Sequence, residues 1–279
     1  MKKWFEAKHL KEFGLGMKIE YKTVLESYHS FFQKIDIYDT MAFGKMIVND
    51  NTIMRTGFDK SAYHEMISHV PLNVHPNPEK VLIIGGGDGG TINEVLKHDD
   101  VKIANLCERD IDMVRICKKH FPEINKGFDD NRGKVFIGNE LEFLKRYHEY
   151  YDIIIVDPSS NNGLTKELMH EDIYYALYKA LKADGIAITQ CESFFYYQKL
   201  LKEKFSHIKK VFPVYAYFYT FVPTHPSGIV GFTFCSKKYD PIHDIRVEKV
   251  NKFKPMTYYN LELHKAAFIL PEGYRELVQ

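Results

Sequence analysis

A glycine-rich loop is the strongest chemical signal in the sequence. Residues 85–90 read Gly-Gly-Gly-Asp-Gly-Gly, and Gly85, Gly87 and the last glycine fit a GxGxxG frame. The loop follows an apolar run that predicts a strand and precedes a segment that predicts a helix, so its backbone can approach a nucleoside or a phosphate closely. Glu108 ends the next predicted strand, where a carboxylate can accept hydrogen bonds from both ribose hydroxyls. This arrangement indicates a nucleoside site.

Asp88, within the same loop, limits which nucleoside fits. A pyrophosphate at this helix N-terminus would meet the Asp88 carboxylate, and like charges repel. The sequence therefore argues against NAD and an NAD-dependent reductase, and favours a sulfonium nucleoside of the S-adenosyl type. A tail that ends in a protonated amine would be attracted to Asp88, whereas a tail with a carboxylate would be repelled. This charge argument also disfavours an ordinary S-adenosylmethionine-dependent methyltransferase, which stays an alternative.

Asp157 is the second signal, at the end of the apolar run 151–157 and before a polar loop. Ligands of open α/β sheets lie outside the carboxyl ends of the strands, so we expect Asp157 to face the same crevice as Asp88. An Asp after a strand is often a turn residue or a helix cap, but here the loop is long before any predicted helix. Glu192 and His225 are further candidates, although a helix-terminal acid and a plain hairpin turn are their ordinary explanations.

The elements that position these residues alternate regularly. Strand-like apolar runs alternate with helical segments, which is typical of a parallel, doubly wound α/β sheet. Residues 1–75 predict a small β-rich domain that ends with a helix over 61–70, and 76–279 predict the larger domain. Within the larger domain, a helix over 167–185 is predicted to end at a C-cap glycine. The predicted strands of this domain cover residues 81–85, 101–108, 134–138, 151–157, 186–192, 213–222 and 229–236.

Composition excludes several classes of protein. The chain has 279 residues, of which 45% are hydrophobic and 27% charged, as in ordinary globular proteins. Its 38 basic and 37 acidic residues give a net charge of +1, so no charge excess favours nucleic acid. The four cysteines lack metal or disulfide spacing and indicate a reducing compartment. The histidines form no sequence motif that is typical of a metal site. No apolar run is long enough to cross a membrane. We expect a cytoplasmic protein without nucleic-acid or membrane partners.

These residues resemble one family in particular, the polyamine aminopropyltransferases, and above all the spermidine synthases. The resemblance extends from about Trp4 to the C-terminus. Its motifs, in family order, are HPNPEKVLIIGGGDGGTINEVLKH (75–98), CERDIDMVRICKKHFPE (107–123), YDIIIVDPSS (151–160), VPTHPSGIVGF (222–232) and YYNLELHKAAFILP (258–271). The resemblance implies a Rossmann-like domain of the class I methyltransferase type, a small N-terminal β-domain, and assembly as a homodimer or homotetramer.

The resemblance also implies a reaction and a site. The aminopropyl group of decarboxylated S-adenosylmethionine would move to putrescine and release 5′-methylthioadenosine, with no metal or resident cofactor. Asp157 matches the catalytic base, and Asp88 matches the acid that holds the donor's amine. The other positions that match the donor site are Gln33, Gly85, Gly87, Glu108, Asn139 and Glu140. The positions that match the acceptor site, besides these two acids, are Tyr63, His64, Ser160, Glu192 and His225.

Several positions depart from the family pattern, among them Asn161, Met54 and the pair Asp59-Lys60. Ser160 stands where the family usually has a second Asp, and His225 replaces a Tyr. Asn139 stands where an Asp usually reads the adenine amino group. The donor site is therefore mostly intact, whereas the acceptor site is altered. Two alternatives follow: an aminopropyltransferase with another amine acceptor, and a nucleoside-binding homologue without catalysis.

Overall fold

The N-terminal part of the chain forms an antiparallel sheet of five strands in chain order, as the β-rich pattern predicted. The computed structural model describes residues 2–7, 11–158, 164–225, 227–252 and 256–278. The strands of this sheet are β1 (Lys3–Ala7), β2 (Met17–His29), β3 (Lys34–Thr40), β4 (Lys45–Asn49) and β5 (Thr52–Thr56).

The remaining described strands form a seven-stranded sheet in the order β11-β12-β10-β9-β6-β7-β8. They are β6 (Lys80–Gly85), β7 (Ile103–Glu108), β8 (Gly133–Ile137), β9 (Tyr151–Asp157), β10 (Leu181–Cys191), β11 (Val214–Phe221) and β12 (Ile229–Ser236). Strand β12 is antiparallel to both of its neighbours, and the other pairs are parallel. This confirms the doubly wound α/β sheet and its terminal antiparallel pair.

The described helices lie before, between and after these strands along the chain. They are α1 (Lys60–Val74), α2 (Gly90–Val95), α3 (Ile111–His120), α4 (Asn125–Asp129), α5 (Glu140–Leu144), α6 (Leu164–Glu167), α7 (Glu171–Ala180), α8 (Gln198–Val211), α9 (Val247–Lys252) and α10 (Leu261–Ala266). Short 3-10 helices span Lys11–Phe13, Pro122–Ile124 and Glu272–Leu277. In β6, Val81 and Ile83 pack under α1 and α2, while Leu82 and Ile84 pack under α5, α7 and α8. The alternation of a strand's side chains thus buries both faces of the sheet.

Helix α1 joins the two sheets. It runs through Pro71, one turn beyond the predicted 61–70, and its buried side chains belong to the core of the larger sheet. By packing, α1 therefore lies with the larger sheet rather than within the β-rich domain in which we predicted it. On the other side, α3 packs Met113 and Ile116 against Ile35 and Ile37 of the small sheet. These contacts hold the small sheet next to the carboxyl ends of β6 and β7.

The predicted helix over 167–185 is wrong over its last five residues, 181–185. Helix α7 ends at Ala180, and the chain continues directly into β10, whose first residue, Leu181, pairs with Tyr151 of β9. The register shifts after this pair, and Gly185 lies against Leu181 instead of capping a helix. Pairing with a neighbouring strand has overridden the helical pattern, because periodicity carries no information about distant partners.

Two expectations from composition can be compared with the structure. The four cysteines are buried and free, as expected for small apolar residues outside a disulfide framework. Among the helices that the structure describes, none has the length and apolar character that crossing a membrane requires.

Candidate active site

A cleft opens where the carboxyl ends of β6 and β9 face the small sheet. Its walls come from β5, the first part of α1, the glycine loop, the ends of β9 and β10, and the turn between β11 and β12. Its open space, counted together with the solvent at its mouth, is about 810 Å³. The strand order reverses at β6, and this switch point is where open α/β sheets bind their ligands.

The glycine loop makes two close approaches that require glycine. Gly85 has a φ of +81°, and a Cβ there would lie 2.1 Å from the carbonyl oxygen of Asp157. The backbone N–H of Gly87 donates to Oε2 of Glu108 at 3.1 Å, and a Cβ on Gly87 would lie 2.7 Å from that oxygen. The loop therefore lies directly against the ends of β7 and β9, and brings Glu108 and Asp157 to one crevice.

Asp88 is held between two basic groups. Nε2 of His64 lies 3.1 Å from Oδ2 of Asp88, and Nη1 of Arg55 lies 3.3 Å from the same oxygen. Burial acts to raise the pKa of Asp88, but His64 and Arg55 outweigh it and hold that pKa below its usual value. Burial likewise acts to lower the pKa of His64, but Asp88 outweighs it and the pKa of His64 is raised. Asp88 is thus an anion that faces the cleft with cationic neighbours.

Asp157 is only 5% exposed and accepts two hydroxyl hydrogen bonds. Tyr63 donates to Oδ1 at 2.7 Å, and Thr91 donates to Oδ2 at 2.5 Å. Burial and the negative charge of Asp88 raise the pKa of Asp157, while these two hydrogen bonds act in the opposite direction. A raised pKa makes a carboxylate a better proton acceptor near neutral pH, which suits the predicted role of base.

Two acids and a histidine of the cleft meet one geometric requirement of a metal site. One ligand atom each from His64, Asp88 and Asp157 lies within 4.8 Å of the others. However, His64 is bonded to Asp88, and both oxygens of Asp157 accept hydroxyl hydrogen bonds. An ion would have to displace these contacts, so the geometry supports no metal role, and the expectation of a metal-free site stays a prediction.

The predicted donor residues Gln33 and Glu108 meet at the end of β7. Nε2 of Gln33 donates to Oδ2 of Asp110 at 3.0 Å, and the backbone N–H of Asp110 donates to Oε1 of Glu108 at 3.0 Å. Oε1 of Gln33 is buried, and among the residues that the structure describes it has no hydrogen-bond partner. A buried acceptor without a partner beside a carboxylate suits a ligand that carries hydroxyl groups.

Asn139 and Glu140 lie at the start of α5. Asn139 is exposed, and its Oδ1 caps the helix by accepting from the backbone N–H of Glu142 at 2.9 Å. Glu140 is buried, and both of its carboxylate oxygens bind Arg109, at 2.9 and 2.6 Å. The structure thus gives both residues local structural contacts, and their roles toward a nucleoside stay predictions.

The predicted acceptor residues do not all meet in the cleft. Tyr63, His64 and His225 line it, whereas Glu192 is not among its described lining residues. The Glu192 carboxylate lies 2.9 Å from Nζ of Lys204, whose side chain is 1% exposed. The structure therefore commits Glu192 to an ion pair with a buried lysine. Ser160 lies outside the described residues.

The turn that carries His225 is fixed by Asp59. Oδ2 of Asp59 accepts from the backbone N–H of Thr224 at 2.9 Å and from its hydroxyl at 2.6 Å. Nδ1 of His225 lies 3.0 Å from the hydroxyl of Ser227. Because Asp59 precedes α1, this clamp holds the turn close to Tyr63 and His64.

Sequence reasoning missed three residues of the site. Arg55 on β5 bonds Asp88, Thr91 bonds Asp157, and Oε1 of Gln190 accepts from the Tyr63 hydroxyl at 3.3 Å. Gln190 could have been found, because it is a polar residue at the carboxyl end of a predicted strand. Arg55 carried no signal, since it lies in a different sheet and outside any motif.

Comparisons with known proteins assign the chain to a family. Residues 60–245 match the family model described as the spermine/spermidine synthase domain, and residues 3–57 match the spermidine synthase tetramerisation domain. The polyamine aminopropyltransferase of Caldicellulosiruptor bescii is 41% identical over 279 residues, covering 100% of this chain and 99% of the relative. That of Leptospira biflexa is 43% identical over 272 residues, covering 98% and 96%.

A solved structure is equally similar. It is a spermidine synthase in complex with the transition state analogue AdoDATO, with 40% sequence identity and a TM-score of 0.94. The match covers 99% of this chain and 94% of that one. Both parts of the chain are thus matched by models of one family. The chain is an enzyme that belongs to the spermine/spermidine synthase family, the polyamine aminopropyltransferases.

Proposed function

We propose that this enzyme transfers the aminopropyl group of decarboxylated S-adenosylmethionine to putrescine, forming spermidine and 5′-methylthioadenosine. The observation that carries the proposal is the pair Asp88 and Asp157, two buried acids with carboxylate oxygens within 4.8 Å of each other. Asp88 is positioned to bind the donor's amine, and Asp157 to bind the attacking amine. Glu108 and Gln33 lie where a ribose would complete the donor site.

The chemistry follows from the charges. The donor carbon beside the sulfonium is electrophilic, so we propose that neither a metal nor a resident cofactor takes part. The acceptor amine has a reference pKa of about 10.4, as in Lys, and must lose a proton before it attacks. Asp157 takes that proton, a C–N bond forms, and the C–S electron pair returns to sulfur, leaving a thioether. Orienting the two reactants can lower such a barrier by about 7–11 kcal/mol.

Mass spectrometry of the products tests the proposal. The enzyme is incubated with decarboxylated S-adenosylmethionine and a panel of diamines that includes putrescine. We expect spermidine and 5′-methylthioadenosine, with putrescine preferred. A methylated amine would instead indicate a methyltransferase, and a longer or shorter diamine as best acceptor would indicate another specificity. Nucleoside binding without any product would indicate a homologue without catalysis.

Replacement of Tyr63 by Phe should move the acid limb of the kcat–pH profile to higher pH. The Tyr63 hydroxyl donates to the ionised carboxylate of Asp157 and so acts to lower its pKa. Without this bond, the pKa of Asp157 rises further, and the base stays protonated up to a higher pH. Profiles of both enzymes at saturating substrates check the shift. Tyr174→Phe, which removes a buried hydroxyl that bonds the Leu168 carbonyl, is the control. An unmoved or lowered acid limb would contradict the assignment.

Replacement of Ser160 by Asp should lower the KM for putrescine. The resemblance matches Ser160 to a position where the family usually has an acid, so the change would restore one negative charge where we propose that a dication binds. The expected decrease is about two- to fivefold, the scale of one partly exposed charge pair. Ser159→Asp places the same charge at the neighbouring position and is the control. If the KM is unchanged or higher in Ser160→Asp, another residue holds the distal amine.

We further propose that the chain assembles as a homotetramer through its N-terminal sheet, with a homodimer as the alternative. Residues 3–57 match a tetramerisation domain, and this region exposes apolar side chains, with Phe31 95% exposed. Val24 and Leu25 on β2 are also exposed. Light scattering on the purified enzyme measures the number of chains.

The free, buried cysteines support our proposal that the enzyme works in the reducing cytoplasm.

A further inference from the structure

Arg55 is a buried cation in the cleft that the proposed reaction does not use. Its side chain is 2% exposed, and it lines the cleft together with Tyr63, His64 and Asp88. An arginine carries five N–H donors and keeps its charge at every physiological pH. A decarboxylated donor offers this guanidinium no partner, because the tail of that donor is itself a cation.

The hydrogen-bonding capacity of Arg55 is incompletely used. Nη1 lies 3.3 Å from Oδ2 of Asp88 and 3.2 Å from the Asp88 carbonyl oxygen, and Nη2 lies 3.4 Å from Oε1 of Glu123. Charge-assisted hydrogen bonds are ordinarily about 2.7–2.9 Å long. Nε of Arg55 is buried, and within the described part of the chain it has no hydrogen-bond partner. Buried donors without partners are rare, and here the donor belongs to a cleft residue.

The two acids near Arg55 are bound more closely by other groups. Lys60 bonds Oε1 of Glu123 at 2.7 Å, which is shorter than the contact with Arg55. Asp88 accepts from the backbone N–H of Gly90 at 2.9 Å and is 3.1 Å from His64. Each acid therefore has a closer partner besides the guanidinium. Arg55 is thus available to an anion that enters the cleft.

We propose that Arg55 forms a carboxylate-binding subsite beside Asp88, so that the cleft also binds S-adenosylmethionine, whose tail carries an ammonium and a carboxylate. The inference rests on the proposed function, in which Asp88 holds the donor's amine. Oδ2 of Asp88 and Nη1 of Arg55 are 3.3 Å apart. The two charged groups of an amino acid share one carbon and are similarly close, so both can be bound at once.

The glycine loop by itself predicts that a nucleoside with a carboxylate on its tail is repelled, and this subsite reverses that expectation. Asp88 by itself repels a carboxylate, but the positive charge of Arg55 offsets the negative charge of Asp88. His64, whose pKa is raised, contributes further positive charge. S-Adenosylmethionine therefore competes with the decarboxylated donor for the same cleft and inhibits the enzyme competitively with respect to that donor.

Calorimetric titration of the full-length enzyme with the two nucleosides tests the subsite, because they differ by one carboxylate. The wild-type enzyme should bind S-adenosylmethionine within about tenfold of the decarboxylated donor. Arg55→Gln should lower the affinity for S-adenosylmethionine by at least about tenfold, which is the loss expected for one charge-assisted pair. The same variant should lower the affinity for the decarboxylated donor by less than about threefold. Lys60→Gln removes a cation that binds the same Glu123 and should leave the ratio of the two affinities unchanged.

The outcomes separate this inference from the proposed function. If the wild-type enzyme binds neither nucleoside, the proposed donor is wrong. If it binds the decarboxylated donor but S-adenosylmethionine more than about a hundredfold more weakly, the subsite alone is wrong. The subsite is also wrong if Arg55→Gln changes both affinities equally, or only strengthens the decarboxylated donor. Arg55→Lys, which keeps the charge without the planar fork, should retain part of the preference, and it provides the test if the Gln variant does not fold.

Discussion

Replacement of Asp157 by Asn should lower kcat by at least about 100-fold while the affinity for the decarboxylated donor changes by less than about threefold. Asn keeps the size of the side chain, and its carbonyl oxygen can still accept one of the two hydrogen bonds that Tyr63 and Thr91 donate to Asp157. Its amide nitrogen only donates, so the other hydroxyl must rotate and accept. Asn cannot accept the proton of the attacking amine or balance its charge. Burial and Asp88 raise the pKa of the native carboxylate, and this tuning is lost with the acid.

The matched control for this variant is Asp152→Asn on the same strand. Asp152 is also a buried acid, but it bonds Nζ of Lys182 at 2.7 Å at the other end of β9. Its replacement should reduce thermal stability without lowering kcat substantially. Steady-state kinetics and donor titration of both variants check the assignment. If Asp157→Asn kept more than about a tenth of the wild-type kcat, a barrier change below roughly 1.4 kcal/mol, Asp157 would not be the base.

Replacement of Asp88 by Asn should weaken binding of the decarboxylated donor by about 10- to 150-fold, the range for a hydrogen bond to a charged group. Two effects add. The donor's ammonium loses the carboxylate that balances its charge. The cations Arg55 and His64, which Asp88 no longer neutralises, then repel that ammonium. S-Adenosylmethionine should also bind more weakly, since its ammonium occupies the same place. This pattern differs from that of Arg55→Gln, which should weaken only the carboxylated nucleoside.

Calorimetric titration measures both affinities in Asp88→Asn. Asp59→Asn is the matched control, because Asp59 is a buried acid of the same cleft whose carboxylate bonds Thr56 and Thr224 instead of a basic group. It should leave donor affinity within about threefold of the wild type. Unchanged donor binding in Asp88→Asn, or an equal loss in both variants, would show that Asp88 does not hold the donor's amine.

The sequence by itself determined the class of fold and the centre of the site. Apolar runs that alternate with helical segments predicted the doubly wound sheet. A strand that is buried on both faces is apolar at nearly every position, and the local sequence shows this directly. The glycine loop, Glu108 and Asp157 were placed in one crevice, since parallel strands present their carboxyl ends at the same edge. These inferences required only the order of elements along the chain.

Only the tertiary structure decided which charges meet. Arg55 lies 33 positions from Asp88 and in another sheet, so no spacing could indicate their contact. Lys204 similarly withdraws Glu192 from the cleft, and strand pairing at Leu181 ends a helix that the local pattern continued. Local patterns report burial and backbone preference, whereas a salt bridge or a strand register depends on where a distant segment packs. The charge balance of this cleft, on which the proposed choice of nucleoside rests, is therefore set by the packing of the small sheet against the larger one.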